Sequence, residues 1–218
     1  IVGHGSGSFG HPAAARHGVH RGVSAGVGAV GVAETQARAA ALHRLVVDAL
    51  LEAGAAPFSL APSSFMSAKG GRPVGLSVEP LLRALDLLLL PVTYGDVVLD
   101  RLQGSSICST EAVFRGLVKA LARRGRRVER VLWLGETEGI YDRDDRLVES
   151  ITRSNLRRVL SATGRAAGAD VTGGMRHRLE TAVALTRLGV ESWILNGLVP
   201  GRLGQALEGQ PVPATRVS

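Results

Sequence analysis

The chain has 218 residues, 45% of them apolar and 21% charged, which is the composition of a globular chain with a core and not of a disordered one. The formal net charge of +7 is almost all arginine, Lys69 and Lys119 being the only lysines, and the single cysteine, Cys108, excludes an intrachain disulfide framework or a thiolate-built metal site. Apolar runs such as "LDLLLLPV" are too short to span a bilayer and no secretory leader pattern opens the sequence, so the expectation is a cytoplasmic protein with no membrane partner.

The chain begins with "GHGSGSFGHP", residues 3–12, in which Gly5, Gly7 and Gly10 have the spacing G-x-G-x-x-G. A small-residue stretch, "GVSAGVGAVGVAE", leads into a helix expected from about Glu34 to Glu52, with Leu42, Leu45, Val46, Ala49 and Leu50 at helical spacing and Gly54 as its stop. "PFSLAP" reads as a strand, "SVEPLLRALD" as a helix, and "LLLLPVTYG" as a buried strand leaving at Gly95. The next helix runs from about Thr110 to Arg123. The run "ARRGRR" at 122–127 falls at its end, where cations complement the helix dipole. With no aromatic neighbours to stack bases, that run reads as a solvated helix end and not as a nucleic-acid site. "VERVLWLG" is a strand, "GGMRHRLETAVALTRLG" a helix ending at Gly189, and "ESWILNG" and "ATRV" two last strands.

Strands separated by helices require crossovers and so predict an α/β fold with a mainly parallel open sheet. The expected organisation is one domain over residues 1–218 in two lobes, 1–125 and 126–218. Ligands in such sheets sit beyond the carboxyl ends of the strands, which directs attention to "GHGSGSFGHP", "TYGDVV", "GETEGIY" and "NGLVPGR".

The glycine loop admits three readings. A dinucleotide fingerprint needs an acidic residue about 20 positions on, at a strand end. The first acidic residue here is Glu34, which begins a helix, and the sequence contains no Walker A loop. A bare turn is the plain alternative. A phosphate cradle fits the chemistry best, because glycines let backbone N–H groups approach an anion at a helix start, with Ser8 and His11 as side-chain donors. "GVSAG" at 22–26 matches the G-x-S-x-G nucleophile pattern, with Asp170 and His177 following in hydrolase order, but "ARHGVHRG" before Ser24 does not read as the strand such an elbow requires.

Six stretches in order carry a resemblance. "HGSGSFGHP" resembles the "HGGGSFGHP" loop of isopentenyl phosphate kinases, members of the amino acid kinase superfamily. "PVTYGDVVLD", "LGETEGIY" and "DVTGGM" resemble further motifs of that family, and "ILNGLVPGRL" with "ATRV" its closing segments. The resemblance implies an αβα sandwich and a homodimer. It also implies transfer of the γ-phosphoryl of ATP, with Mg2+, to a small-molecule phosphate substrate, isopentenyl phosphate. Carried over by position, the catalytic residues are His11 and Gly7, the latter near the transferring phosphoryl. The acceptor side is Gly5, Ser6, His11, Gly95, Asp96 and Thr110. The ATP side is Gly7, Glu136, Tyr141, Gly173, Gly174 and Arg178, and no residue is assigned as a metal ligand.

The substrate and dimerisation functions fall to the first lobe and nucleotide binding to the second. Asp170 or Thr172 is expected to cap the "TGGM" helix. The helix 34–52 and "PFSLAP" are expected to wall an apolar pocket beside His11.

The departures are specific. Ser6 replaces a loop glycine, Thr110 a glycine and Glu111 an aspartate of "SGDD", Glu136 and Glu138 the aspartates of "TDVD", and Arg178 a lysine. The family's opening "K-x-G-G-S" strand has no counterpart in these residues, so the resemblance implies a chain that starts after that unit. A fosfomycin-type kinase and a catalytically impaired ligand-binding fragment are the alternative readings.

Overall fold

The computed structural model describes residues 1–23, 28–163 and 173–218. Ser24, Asp170 and Thr172 therefore lie outside the described residues. The chain forms two compact units, Ile1–Arg124 and Gly125–Ser218.

In the first unit, β1 (Val2–His4) leads into α1 (Gly7–Arg16), followed by α2 (Ala29–Glu52), β2 (Pro57–Ser59) and the single-turn α3 (Pro62–Phe65). Then come β3 (Ser67–Lys69), β4 (Arg72–Val74), α4 (Glu79–Asp86), β5 (Leu90–Tyr94), β6 (Asp96–Asp100), β7 (Gly104–Cys108) and α5 (Thr110–Arg123). Strands β1, β5 and β2 make a wholly parallel sheet with β5 in the centre, in register His4↔Tyr94 and Ser59↔Val92. Val92, Thr93 and Tyr94 are buried in the middle of this unit. α2 presents Thr35, Ala39, His43 and Val47 inward, one helical face at steps of four residues. It begins earlier than its apolar periodicity suggests, because the small residues before Glu34 carry no hydrophobic pattern.

A second sheet, β4-β3-β6-β7, departs from the expected parallel arrangement. It consists of two antiparallel hairpins joined by the parallel pairing Ala68↔Asp100. The first hairpin turns at Gly70 and Gly71, both at positive φ, as a tight two-residue turn demands. The Asp100 carboxylate knits the two hairpins. It accepts from Gly70 N–H at 3.0 Å, Gly71 N–H at 2.8 Å, Leu102 N–H at 2.8 Å and the Ser106 hydroxyl at 2.5 Å. Desolvation pushes this carboxyl up, but the Ser106 hydroxyl and the backbone N–H groups outweigh it and hold the group below the usual carboxylate range.

The second unit contains β8 (Arg130–Gly135), β9 (Ser150–Ile151), α6 (Leu156–Thr163), α7 (Gly173–Thr186), β10 (Glu191–Asn196), α8 (Arg202–Leu207) and β11 (Thr215–Val217). Its sheet has the order β8-β10-β11-β9, with β8/β10 and β11/β9 parallel and β10/β11 antiparallel. Trp193, Leu195, Ala206 and Ala214 pack as one cluster, and the guanidinium groups of Arg130 and Arg216 lie 4.0 and 4.4 Å from the Trp193 ring centre. The α/β class expected from the sequence is borne out. Among the described residues, no helix is long and apolar enough to cross a membrane.

Candidate functional site

The carboxyl edge of the parallel sheet in the first unit carries the glycine loop. β1 ends at His4, Gly5 and Ser6 make the turn, and α1 starts at Gly7 with φ +47°. The Ser6 carbonyl accepts from Phe9 N–H at 3.1 Å and Gly10 N–H at 3.2 Å, which closes the first helical turn. The leading N–H groups of a helix have no partner within it, so those of Gly7 and Ser8 stand at the positive end of α1. The Ser6 side chain makes no cap hydrogen bond and is buried against Gly10. His11 lies in the second turn of α1, exposed, and not in the loop that precedes the helix.

Gly95 and Thr110 meet the same strand end. Gly95 N–H donates to the His4 carbonyl at 2.9 Å, and the Thr110 hydroxyl donates to that carbonyl at 2.6 Å. Thr110 opens α5, whose N-cap Ser109 accepts from Ala112 N–H through its hydroxyl. Two helix starts and the exit of β5 thus converge on the end of β1. Asp96 is buried; its carboxylate accepts from Val97 N–H at 2.8 Å and Ser63 N–H at 3.2 Å, which ties α3 to β6. Burial pushes its carboxyl up, against the Ser63 and Val97 hydrogen bonds. Its bonds are those of a residue that orients a loop. Cys108 is a buried thiol pushed up to about 12, chiefly by burial and then by Asp96, and is no nucleophile near neutral pH.

Sequence reasoning missed one cluster at this edge. His4, His43 and Tyr94 stack as three rings, with centroids 4.3 Å apart for His43–Tyr94, 5.3 Å for His4–His43 and 5.6 Å for His4–Tyr94. The signal available was a histidine on the inward stripe of α2, four residues from Ala39 and four from Val47. The cavity beside α1, of about 300 Å³, is lined by Phe9, Pro12 and Ala13 but also by Arg16, Glu34 and Arg38. That wall is amphipathic, and neither β2 nor His11 lines it.

In the second unit, β8 runs out into Glu136, Thr137, Glu138 and Gly139. Glu136 is exposed and Tyr141 half-buried, the latter bridged to Leu147. The loop is pinned twice: Ile140 N–H donates to the Thr215 hydroxyl at 2.7 Å, and Arg202 at the start of α8 pairs with Glu138. α7 begins at Gly173, and Gly174 is exposed. A Cβ on Gly135 would sit 3.1 Å from Arg178 Nη1, so that guanidinium lies directly over the end of β8. A helix start rich in glycine with an arginine one turn in, over a strand exit, fits a nucleotide polyphosphate. Among the described residues no group of three or more His, Cys, Asp or Glu side chains is placed to hold a metal by itself.

The amino acid kinase family model matches residues 1–196, and the chain belongs to that family. Within it, the chain is similar to isopentenyl phosphate kinases. It is 32% identical to that of Methanothermobacter thermautotrophicus over 100% of this chain and 84% of the relative. It is 29% identical to that of Arabidopsis thaliana over 89% of this chain and 63% of the relative. A solved X-ray structure of an isopentenyl phosphate kinase superposes with a TM-score of 0.81 at 30% identity, covering 99% of this chain and 82% of that one. The resemblance drawn from the motifs is thereby borne out.

Proposed function

We propose that this chain is an ATP-dependent phosphotransferase that converts isopentenyl phosphate to isopentenyl diphosphate, with release of ADP. The observation that carries the reading is the convergence of α1, α5 and Gly95 on the carboxyl end of β1, in a chain related over its whole length to isopentenyl phosphate kinases. An acceptor that is already a phosphate needs no strong general base; it needs donors and charge neutralisation around two anions.

The N–H groups of Ser6, Gly7 and Ser8 supply donors for the acceptor phosphate, and Gly5 leaves the backbone open to it. His11 reaches the same anion from the second turn of α1 as an imidazole donor. Gly95 and Thr110 hold the loop's base, and Asp96 fixes the neighbouring α3. Glu136 and Tyr141 are assigned to the nucleoside, and Gly173, Gly174 and Arg178 to its phosphates. When bound, ATP would supply the γ-phosphoryl group and Mg2+ would offset phosphate charge. The first unit serves the acceptor and the second the nucleotide, in a cytoplasmic homodimer. The test is acceptor preference in an assay of ADP release. Isopentenyl phosphate is expected to be turned over at least tenfold more efficiently than a polar phosphate monoester of similar size, and equal efficiency would defeat the prenyl assignment.

A further inference from the structure

The last residues of all three parallel strands, His4, Tyr94 and Ser59, gather at one edge, and His43 reaches in from α2. His4 Nδ1 lies 2.8 Å from the Gly5 carbonyl, His4 Nε2 lies 3.0 Å from His43 Nδ1, and His43 Nε2 lies 2.6 Å from Ser59 Oγ. These contacts fix every proton when both rings are neutral. A carbonyl only accepts, so His4 carries its proton on Nδ1 and its Nε2 is an acceptor. His43 must then donate from Nδ1, which leaves its Nε2 to accept from the Ser59 hydroxyl. The direction is single: Ser59 to His43 to His4 to Gly5. Both rings are held neutral. Desolvation lowers His4, against its Gly5 hydrogen bond, and desolvation, then the repulsion a protonated His4 would exert, lower His43 to about 4.

The relay ends on the carbonyl of a loop peptide. A trans peptide directs its N–H opposite to its C=O. Holding the Gly5 carbonyl on the His4 side therefore turns the Ser6 N–H the other way, toward the start of α1 where Gly7 and Ser8 present theirs. We propose that His4 and His43 are positioning residues. Their one-way hydrogen-bond relay locks the Gly5–Ser6 peptide so that the Ser6 N–H is presented to an acceptor phosphate. The proposal rests on the kinase reading for the identity of that anion. The Tyr94 ring packs against both imidazoles, 11° from the plane of His4 and 28° from that of His43, and the relay acts through the Gly5–Ser6 peptide.

The test is NMR on the intact chain, joined to kinetics. Long-range proton–nitrogen spectra at neutral pH are expected to show both His4 and His43 protonated on Nδ1, the tautomer that a free histidine side chain disfavours. Titration with isopentenyl phosphate is expected to shift the Ser6 amide downfield. His43→Phe keeps the ring stack and removes both relay nitrogens; it should abolish that shift and lower kcat/KM for the acceptor about tenfold, with KM for ATP unchanged. His43→Gln, which retains a donor and an acceptor, should recover part of the loss. An Nε2-protonated His4 or His43, an unmoved Ser6 amide, or a His43→Phe enzyme with normal acceptor kinetics overturns the relay. A wild-type chain that shows the tautomers and the Ser6 shift but no turnover with ATP overturns the kinase reading and leaves the relay standing.

Discussion

Gly10 and Ser6 are coupled, and the coupling is measurable. A Cβ on Gly10 would lie 2.9 Å from both Ser6 Cβ and Ser6 Oγ, while the next neighbour, Ala39 Cβ, stands at an ordinary 3.7 Å. Two opposed effects act on Gly10→Ala. Alanine gains about 1 kcal/mol over glycine inside a helix. Forcing a methyl into a filled space costs about 1–3 kcal/mol, and Ser6 Cβ cannot swing away as a side-chain tip does. The single substitution should therefore be neutral to about 2 kcal/mol destabilising. Ser6→Gly removes both clashing atoms. In that background the same Gly10→Ala change should stabilise by up to about 1 kcal/mol. The interaction term of the cycle is thus about 1–3 kcal/mol, well above the 0.3–0.5 kcal/mol within which independent sites add. Urea unfolding of the wild type, both single variants and the double variant gives it directly. An interaction term within that additivity margin would refute the account of how Ser6 sits against the first turn of α1.

Three further outcomes are expected. His11→Ala should lower kcat on the order of 10²-fold with little change in KM for ATP, and His11→Gln should recover part, the signature of a lost transition-state donor in steady-state kinetics. Gly139→Ala places a Cβ 2.4 Å from Thr215 Oγ1 and 2.8 Å from Thr215 N, breaking the Ile140–Thr215 bond that pins the loop after β8. A loss of about 2–4 kcal/mol is expected in chemical unfolding, and an unchanged midpoint would contradict it. Acid should destabilise the fold from about pH 6.5 downward. His43 titrates near 4 in the fold and near 6.5 when unfolded, so between those values the unfolded chain binds a proton the folded one refuses. Stability is full above 6.5 and falls as the pH drops toward 4, by about 1–2 kcal/mol once solvent screening is allowed for. His43→Phe should flatten that window.

Much of the site could be read directly because its chemistry is local. The glycine loop, the exit of β5 at Gly95 and the start of α5 at Ser109 and Thr110 each announce themselves within a few residues, by turn formers and a capping hydroxyl. The end of α5 was legible for the same reason: Gly125, at φ +70°, interrupts the arginine run at 122–127. The His4–His43–Ser59 relay was not, because its members lie 39 and 16 residues apart and only the parallel register brings them together. His43 did carry a local sign, a polar ring between Ala39 and Val47 on the inward stripe, but the periodicity of α2 counts such a residue as a break. The hairpin at Gly70 and Gly71 was hidden because Lys69 and Arg72 flank it and its strands are only three residues long, too short to show alternation. The pairing of Arg202 with Glu138 joins the loop after β8 to the start of α8, a contact no spacing encodes.

The claim that this chain phosphorylates a phosphate is tested most directly by following the phosphorus. With ATP, Mg2+ and isopentenyl phosphate, the ³¹P spectrum is expected to lose the monophosphate singlet and gain the two coupled doublets of a prenyl diphosphate, in step with ADP. A spectrum in which ADP appears with inorganic phosphate alone, or in which the monophosphate singlet persists, would contradict it.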